Sequence, residues 1–270
     1  MKSKRGCERT ANILLLALIS LIFSTAQAQT DSSRPSSVNG HPNFNGVWQA
    51  VNTAYWNLEA HSAEALPGLW QLGALAGIPA GQSFVVEGKI PYLPEALAKK
   101  TENKAGWPAF DPMVSCFMPG IPRATYMPFP FRIVQSETDV YFAYSFATAN
   151  RIINMENHTQ APVDMWMGWS NGSWDGDTLV IEVNSNDDRT WLDRAGNYHS
   201  YQMKVTERYS LLSENIIQYE ATIEDPLTFS DSWTIRMPLY RMVESNVALL
   251  DYNCVEFAEE LLYGEFEKKE

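Results

Sequence analysis

The sequence predicts a mainly β protein: an antiparallel meander closed into a barrel, with an irregular Pro- and Gly-rich N-terminal half and one or two short helices. Three observations predict it. About eight short segments with strand character recur along the chain, most of them after residue 131. Turn signals such as Asp175-Gly176 separate them. No helical segment is long enough to serve repeated parallel crossovers.

The strands are read in order. FNGVWQAVNT (44–53) is the first. FRIVQS and DVYFAYSF flank Glu137-Thr138-Asp139, a short hairpin connection, and NRIINMEN follows. TLVIEVN (178–184) leaves the tight turn of WDGDT, and MKVTERYSLL (203–212) alternates after it. IIQYEATIED (216–225) alternates as well, with Ile217, Tyr219, Ala221 and Ile223 on one face and Gln218, Glu220 and Thr222 on the other. SWTIRMPLYRMV (232–243) is the last. VEFAEELLYGEFEKKE reads as a short helix and a charged tail. A barrel of this strand number is just wide enough to hold a small ligand.

Residues 54–130 follow neither period. LEAHSAEAL and PEALAKKTENKA have helical composition, and Pro94 suits a helix start. Pro119, Pro122, Pro128 and Pro130 exclude a long helix or a central strand nearby. This region reads as irregular chain packed onto the rest.

The chain begins with a basic segment (Lys2, Lys4, Arg5, Arg9), an apolar run Ile13 to Phe23 and the small-x-small site Ala26-Gln27-Ala28. That order is a secretory signal peptide. The expected organisation is signal peptide 1–28, flexible tail 29–43 and a single barrel domain 44–270, periplasmic or secreted after cleavage at about Ala28. Losing four cations and Glu8 moves the formal net charge from −12 to −15. Such a chain repels nucleic acid and anionic lipid. No further run approaches membrane-spanning length, so no membrane insertion of the mature chain is expected. Two cysteines remain, Cys116 and Cys254. An even count in an exported chain favours one disulfide, with two buried free thiols as the alternative.

The motifs GSWDGDTLVIEV, DDRTWLDRAGNYHS, VTERYS and YEATIEDPLTFSDSWT, with PNFNGVW, IPYLPEALAKK and PGIPRATYMP upstream, resemble a broad and largely uncharacterised family of exported bacterial proteins. Its pattern runs G-x-W-x-G-D-T-L-V, D-R-T-W-L-D-x-x-G-x-x-H-S, E-R-Y. The resemblance covers about Pro42 to Glu260 and implies a lipocalin-like barrel. It implies no catalytic assignment.

The loop Trp191–Ser200 carries more ionisable groups than a turn requires. His199 has the side chain for acid/base work at neutral pH, and Asp188 or Asp193 could orient its ring. Glu207 and Arg208 point to opposite faces of one strand, so one of them faces inward. The catalytic candidates are therefore His199, Asp188, Asp193 and Glu207. Loop hydrogen bonding is the competing account. For substrate binding the candidates are Arg123 with Tyr126, the tryptophans Trp166, Trp169 and Trp191, and Arg208. Arg123 binds an oxyanion in this reading or else pairs with a core carboxylate such as Glu256. The tryptophans line a pocket or are core.

No cofactor is expected, because no GxGxxG or P-loop is present. His41, His61, His158 and His199 lack metal-ligand spacing, so no metal is assigned, although distant histidines can converge in a fold. The expected function is acid/base chemistry on a small aromatic, terpenoid or glycosidic substrate at the barrel mouth. The alternative is a non-catalytic carrier of an apolar or aromatic ligand.

Overall fold

A computed structural model describes residues 36–66, 72, 77–256, 258 and 261. The expected leader, the first part of the tail, Trp70 and most of the C-terminal helix lie outside the described residues.

Nine strands form one sheet: β1 (Gly46–Gln49), β2 (Phe131–Gln135), β3 (Val140–Tyr144), β4 (Asn150–Ile153), β5 (Trp169–Asp175), β6 (Thr178–Asn184), β7 (Lys204–Ser213), β8 (Ile216–Glu224) and β9 (Trp233–Arg241). Each pairs antiparallel with its neighbour in sequence, except across the β4–β5 junction, and β9 returns to β1. The result is the expected antiparallel meander, curled into a nearly closed barrel.

Closure meets a parity constraint. A ring of nine strands cannot be antiparallel at every junction. Eight antiparallel steps lead from β4 round to β5, so these two run in the same direction. The junction between them is a single parallel bridge, Asn154 to Asn171. Asn154 N donates to Ser170 O at 3.0 Å, and Gly172 N donates to Asn154 O at 2.9 Å. A parallel pair needs a long crossover, here residues 154–168. The chains approach closely at Gly172, where a Cβ would lie 2.4 Å from Ile153 Cγ2.

Side chains supply what the short ladder lacks. Arg151 of β4 reaches Ser170 Oγ of β5 at 2.8 Å through Nη2. The same Nη2 lies 2.7 Å from Glu207 Oε2 on β7, across the interior. Tyr209 and Tyr219 donate their hydroxyls to Glu207 Oε1 at 2.9 and 2.8 Å. Burial and the Glu207 charge hold both phenols well above their ordinary range, so they stay protonated donors.

The alternation read from the sequence puts the right residues inside. Ile217, Tyr219, Ala221 and Ile223 are all fully buried. Trp48, Phe131, Phe142, Tyr209 and Trp233 join them. These side chains and the Arg151–Glu207 pair occupy the interior that a barrel of this size offers a ligand.

Pro238 lies inside β9, where a missing N–H is tolerated only on an unpaired side. β9 meets β1 only at Tyr240 and Arg241. Its free side is taken further along by residues 84–86, through Val86 N to Thr234 O and Arg236 N to Phe84 O.

The described residues between 50 and 130 cover the end of the barrel at which β3 and β8 finish. The helix α1 (Pro94–Gly106) starts at the expected proline. The 58–66 stretch, expected to be helical, is irregular, with a bridge at His61 and a two-residue strand at Glu64–Ala65. Its backbone is claimed elsewhere: Leu58 N by Asp193, and His61 N and O by Gly81. The 3-10 turn Arg123–Tyr126 is buried at all four residues. The Pro-rich segment is therefore a fixed plug. A disulfide joins Cys116 beside it to Cys254 across 138 residues. On a chain-entropy argument, a closed loop that long stabilises by about 5 kcal/mol. The last residues of the expected tail also fold: Ser37–Val38 pairs with His41–Pro42, and His41 stacks on Trp174 at 4.1 Å.

Removing Arg151 alone strands a buried carboxylate. Arg151→Met should cost about 3–5 kcal/mol in urea denaturation. Adding Glu207→Gln should recover part of the loss; an equal or larger loss in the double variant would show that the pair does not act as a unit.

Candidate functional site

The loop between β6 and β7 places its polar residues one by one, each with its own partners. The His199 ring is buried. Its Nδ1 lies 2.9 Å from the Ser200 carbonyl, which only accepts, so Nδ1 carries the proton. Its Nε2 lies 2.6 Å from Thr190 Oγ1 and, in the neutral ring, accepts the hydroxyl proton. Burial lowers its pKa from 6.5, which favours that neutral form. Both nitrogens are thus engaged.

Asp188 is exposed, and no hydrogen bond joins it to the ring. Asp193 is fully buried. It accepts from Leu58 N (2.9 Å), Ala195 N (2.9 Å), Asn197 N (3.3 Å) and Asn197 Nδ2 (2.6 Å). Burial pushes its carboxyl up to about 6, against the pull of those donors and of Arg123. Glu207 is the inward member of its pair but belongs to the barrel interior. The four catalytic candidates therefore sit in four separate environments.

The expected binding residues are dispersed too. Arg123 holds Asp111 through two parallel bonds of 2.9 and 2.7 Å, both side chains buried. Its partner is thus Asp111 and not Glu256, which is exposed. Asp111 is also the N-cap of the 3-10 turn Pro112–Ser115, accepting from Met113 N at 3.1 Å. Tyr126 donates to Leu192 O at 2.7 Å, fastening loop to plug. Arg208 faces outward and pairs with Asp175. Trp166 stacks on Phe117 at 4.7 Å, with Arg189 4.4 Å from its ring centre. Trp169 is half-buried at the start of β5. Trp191 is buried beside Leu66 and Trp107.

A different set of residues makes a hollow of about 60 Å³. Trp56, His61, Ile78, Trp107 and Arg194 line it, and the exposed Lys104–Glu64 pair stands at its edge. The Arg194 guanidinium lies 4.6 Å from the Trp56 ring centre, 4.5 Å from Trp107 and 5.1 Å from Tyr55. Such cation–ring contacts are worth about 0.5–2 kcal/mol each and fix the walls. Two buried ring nitrogens here, His61 Nε2 and Trp107 Nε1, have no hydrogen-bond partner among the described residues. The ring nitrogens of Trp169 and Trp233 are likewise without a hydrogen-bond partner among the described residues.

Two other depressions are larger and more polar. One of about 270 Å³ lies against His41, Trp174, Glu137 and Glu156, and one of about 420 Å³ against Tyr201, Gln202 and Glu224. No group of three or more His, Cys, Asp or Glu among the described residues is placed to hold a metal. No helix among them is long and apolar enough to cross a membrane.

The hollow was not foreseeable as a unit. Its residues come from four stretches, around 56–61, 78, 107 and 194, with no shared spacing. The only sequence signal was the abundance of tryptophan. No family model, characterised protein or solved structure is similar enough to this chain to lend it a function.

Because His199 binds its proton less readily folded than unfolded, it contributes stability above pH 6.5 that is lost as the pH falls below 6.5. Wild type should therefore lose stability relative to His199→Gln in denaturation series run downward from pH 7. A constant difference between the two would contradict the buried neutral ring.

Proposed function

We propose that this chain is an exported, lipocalin-like binding protein that carries a small aromatic or apolar molecule without transforming it. The observation that carries the reading is the aromatic hollow beside α1, walled by Trp56, Trp107 and Ile78 with the Arg194 guanidinium against the two indoles. Ligand sites combine mostly apolar walls with a few placed polar groups in this way. The exported half of the reading rests on the leader-like residues 1–28 and the Cys116–Cys254 disulfide. Acid/base chemistry on His199 is the less favoured reading, because both of its nitrogens are engaged and Asp193 and Glu207 are each satisfied elsewhere. The ligand sits outside the barrel interior, which side chains fill.

Titrating the purified chain with phenol while following tryptophan fluorescence tests this. Saturable quenching should occur, and Trp56→Ala should weaken it at least tenfold. A titration without saturation, or one that Trp56→Ala leaves unchanged, would exclude the hollow as a ligand site.

A further inference from the structure

We propose that the mouth of the barrel opposite the plug is a second binding site, which takes a small organic cation bearing a hydroxyl, that is, an amino alcohol. This goes beyond the binding role given above and does not rest on it. The strand directions place the site. β2 ends and β3 begins at the end of the barrel away from the plug, and β4 and β5, which run in one direction, both finish there. Alternation carries an inward side chain of each to that end: Gln135 of β2, Val140 of β3, Met155 just beyond β4 and Trp174 of β5. All four residues line the depression of about 270 Å³. Val140 belongs to the core, and Met155 and Trp174 pack against it. The hairpin at residues 37–42 closes one side: His41 stacks on Trp174, and Asn39 Nδ2 donates to Glu137 O at 3.0 Å. Barrel mouths are frequent ligand sites, and this volume is near the lower end of theirs, about 300 Å³.

Charge and one amide set the chemistry. Glu137, Asp139 and Glu156 line the depression, and no lysine or arginine does. None of the three carboxylates pairs with a lysine or arginine among the described residues. Asp139 Oδ2 takes only the Thr138 and Ser136 hydroxyls, at 2.8 and 3.3 Å. Like charges around one concave surface focus a negative potential, which draws in a cation and turns away an acid. The carboxylates are not placed to hold one metal ion together, which leaves an organic cation. Gln135 is 7% exposed. The Asn45 side chain takes its backbone N and O at 2.8 and 2.9 Å, and its Oε1 accepts from Phe44 N at 2.9 Å. That last bond orients the amide and leaves Nε2 as a donor at its other corner. Nε2 has no partner among the described residues, and it is not among the unpartnered side-chain atoms that are shut off from solvent. An N–H donor needs an acceptor, which an alkylammonium lacks and a hydroxyl supplies. The occupant therefore turns its charge to the Glu137 and Glu156 rim and its hydroxyl to Gln135.

The test is calorimetric titration of the whole chain with choline and two relatives of the same shape. Neohexyl alcohol has carbon in place of the charged nitrogen, and propyltrimethylammonium has a methyl in place of the hydroxyl. The titrations are repeated on the double variant Glu137→Gln with Glu156→Gln, both exposed positions, and a thermal melt checks its fold. Wild type should bind choline saturably and about tenfold more tightly than either relative, and the double variant should bind choline and neohexyl alcohol alike. No saturable binding of choline overturns the site. Equal binding of choline and neohexyl alcohol overturns the part played by the carboxylates, and equal binding of choline and propyltrimethylammonium that of Gln135; either result overturns the amino-alcohol class. A preference for choline over neohexyl alcohol that survives in the folded double variant puts the cation elsewhere and overturns the mouth as its site. If the double variant fails to fold, the wild-type comparisons decide alone. None of these results bears on the titration with phenol.

Discussion

The Arg151 side chain carries the constraint on which the rest of the barrel depends. Nine strands leave one parallel junction, and that junction has a single backbone bridge between β4 and β5. Arg151 adds a bond to Ser170 across it and ties it to Glu207 on the far wall. A buried guanidinium demands a carboxylate, and the carboxylate's second oxygen demands donors, which Tyr209 and Tyr219 provide. Closing the sheet therefore fills it. The interior is taken up by this pair, its two tyrosines and the core side chains around them.

The chain that covers one end of the barrel explains the density of polar groups in WLDRAGNYHS. A plug that is largely irregular outside α1 leaves many backbone groups to satisfy. Asp193 takes Leu58 N, Tyr126 reaches Leu192 O, Asn103 donates to Gly196 O, and Tyr92 bonds Asn197. The loop thus supplies partners to the plug at Leu58, Tyr92, Asn103 and Tyr126. His199 belongs to this wiring through Thr190 and Ser200.

The fold was largely legible because alternation is a local property. The faces of β8 follow directly from IIQYEATIE, and Pro94 marks the start of α1. β5 was missed: WSNGSWD has a glycine and three small polar residues, and its inward positions, Ser170 and Gly172, are small because Arg151 and Ile153 press on them. The helix expected over 58–66 lost to bonds from Asp193 and Gly81, both distant in sequence. The inward turn of Glu207 was legible from the pleat, but its partner Arg151 lies 56 residues away. The hollow was illegible for the same reason: convergence of Trp56, His61, Trp107 and Arg194 is a product of the plug's path, which no periodicity records.

The central claim is that a ligand meets the plug's aromatic hollow and not the His199 loop. Imidazole ¹⁵N spectra of the chain, which has four histidines, recorded with and without phenol, address it directly. The account predicts that the His61 Nε2 resonance moves on addition of phenol while both His199 nitrogens stay where they are. Movement of the His199 resonances with His61 unchanged would place the ligand at the loop and contradict the account.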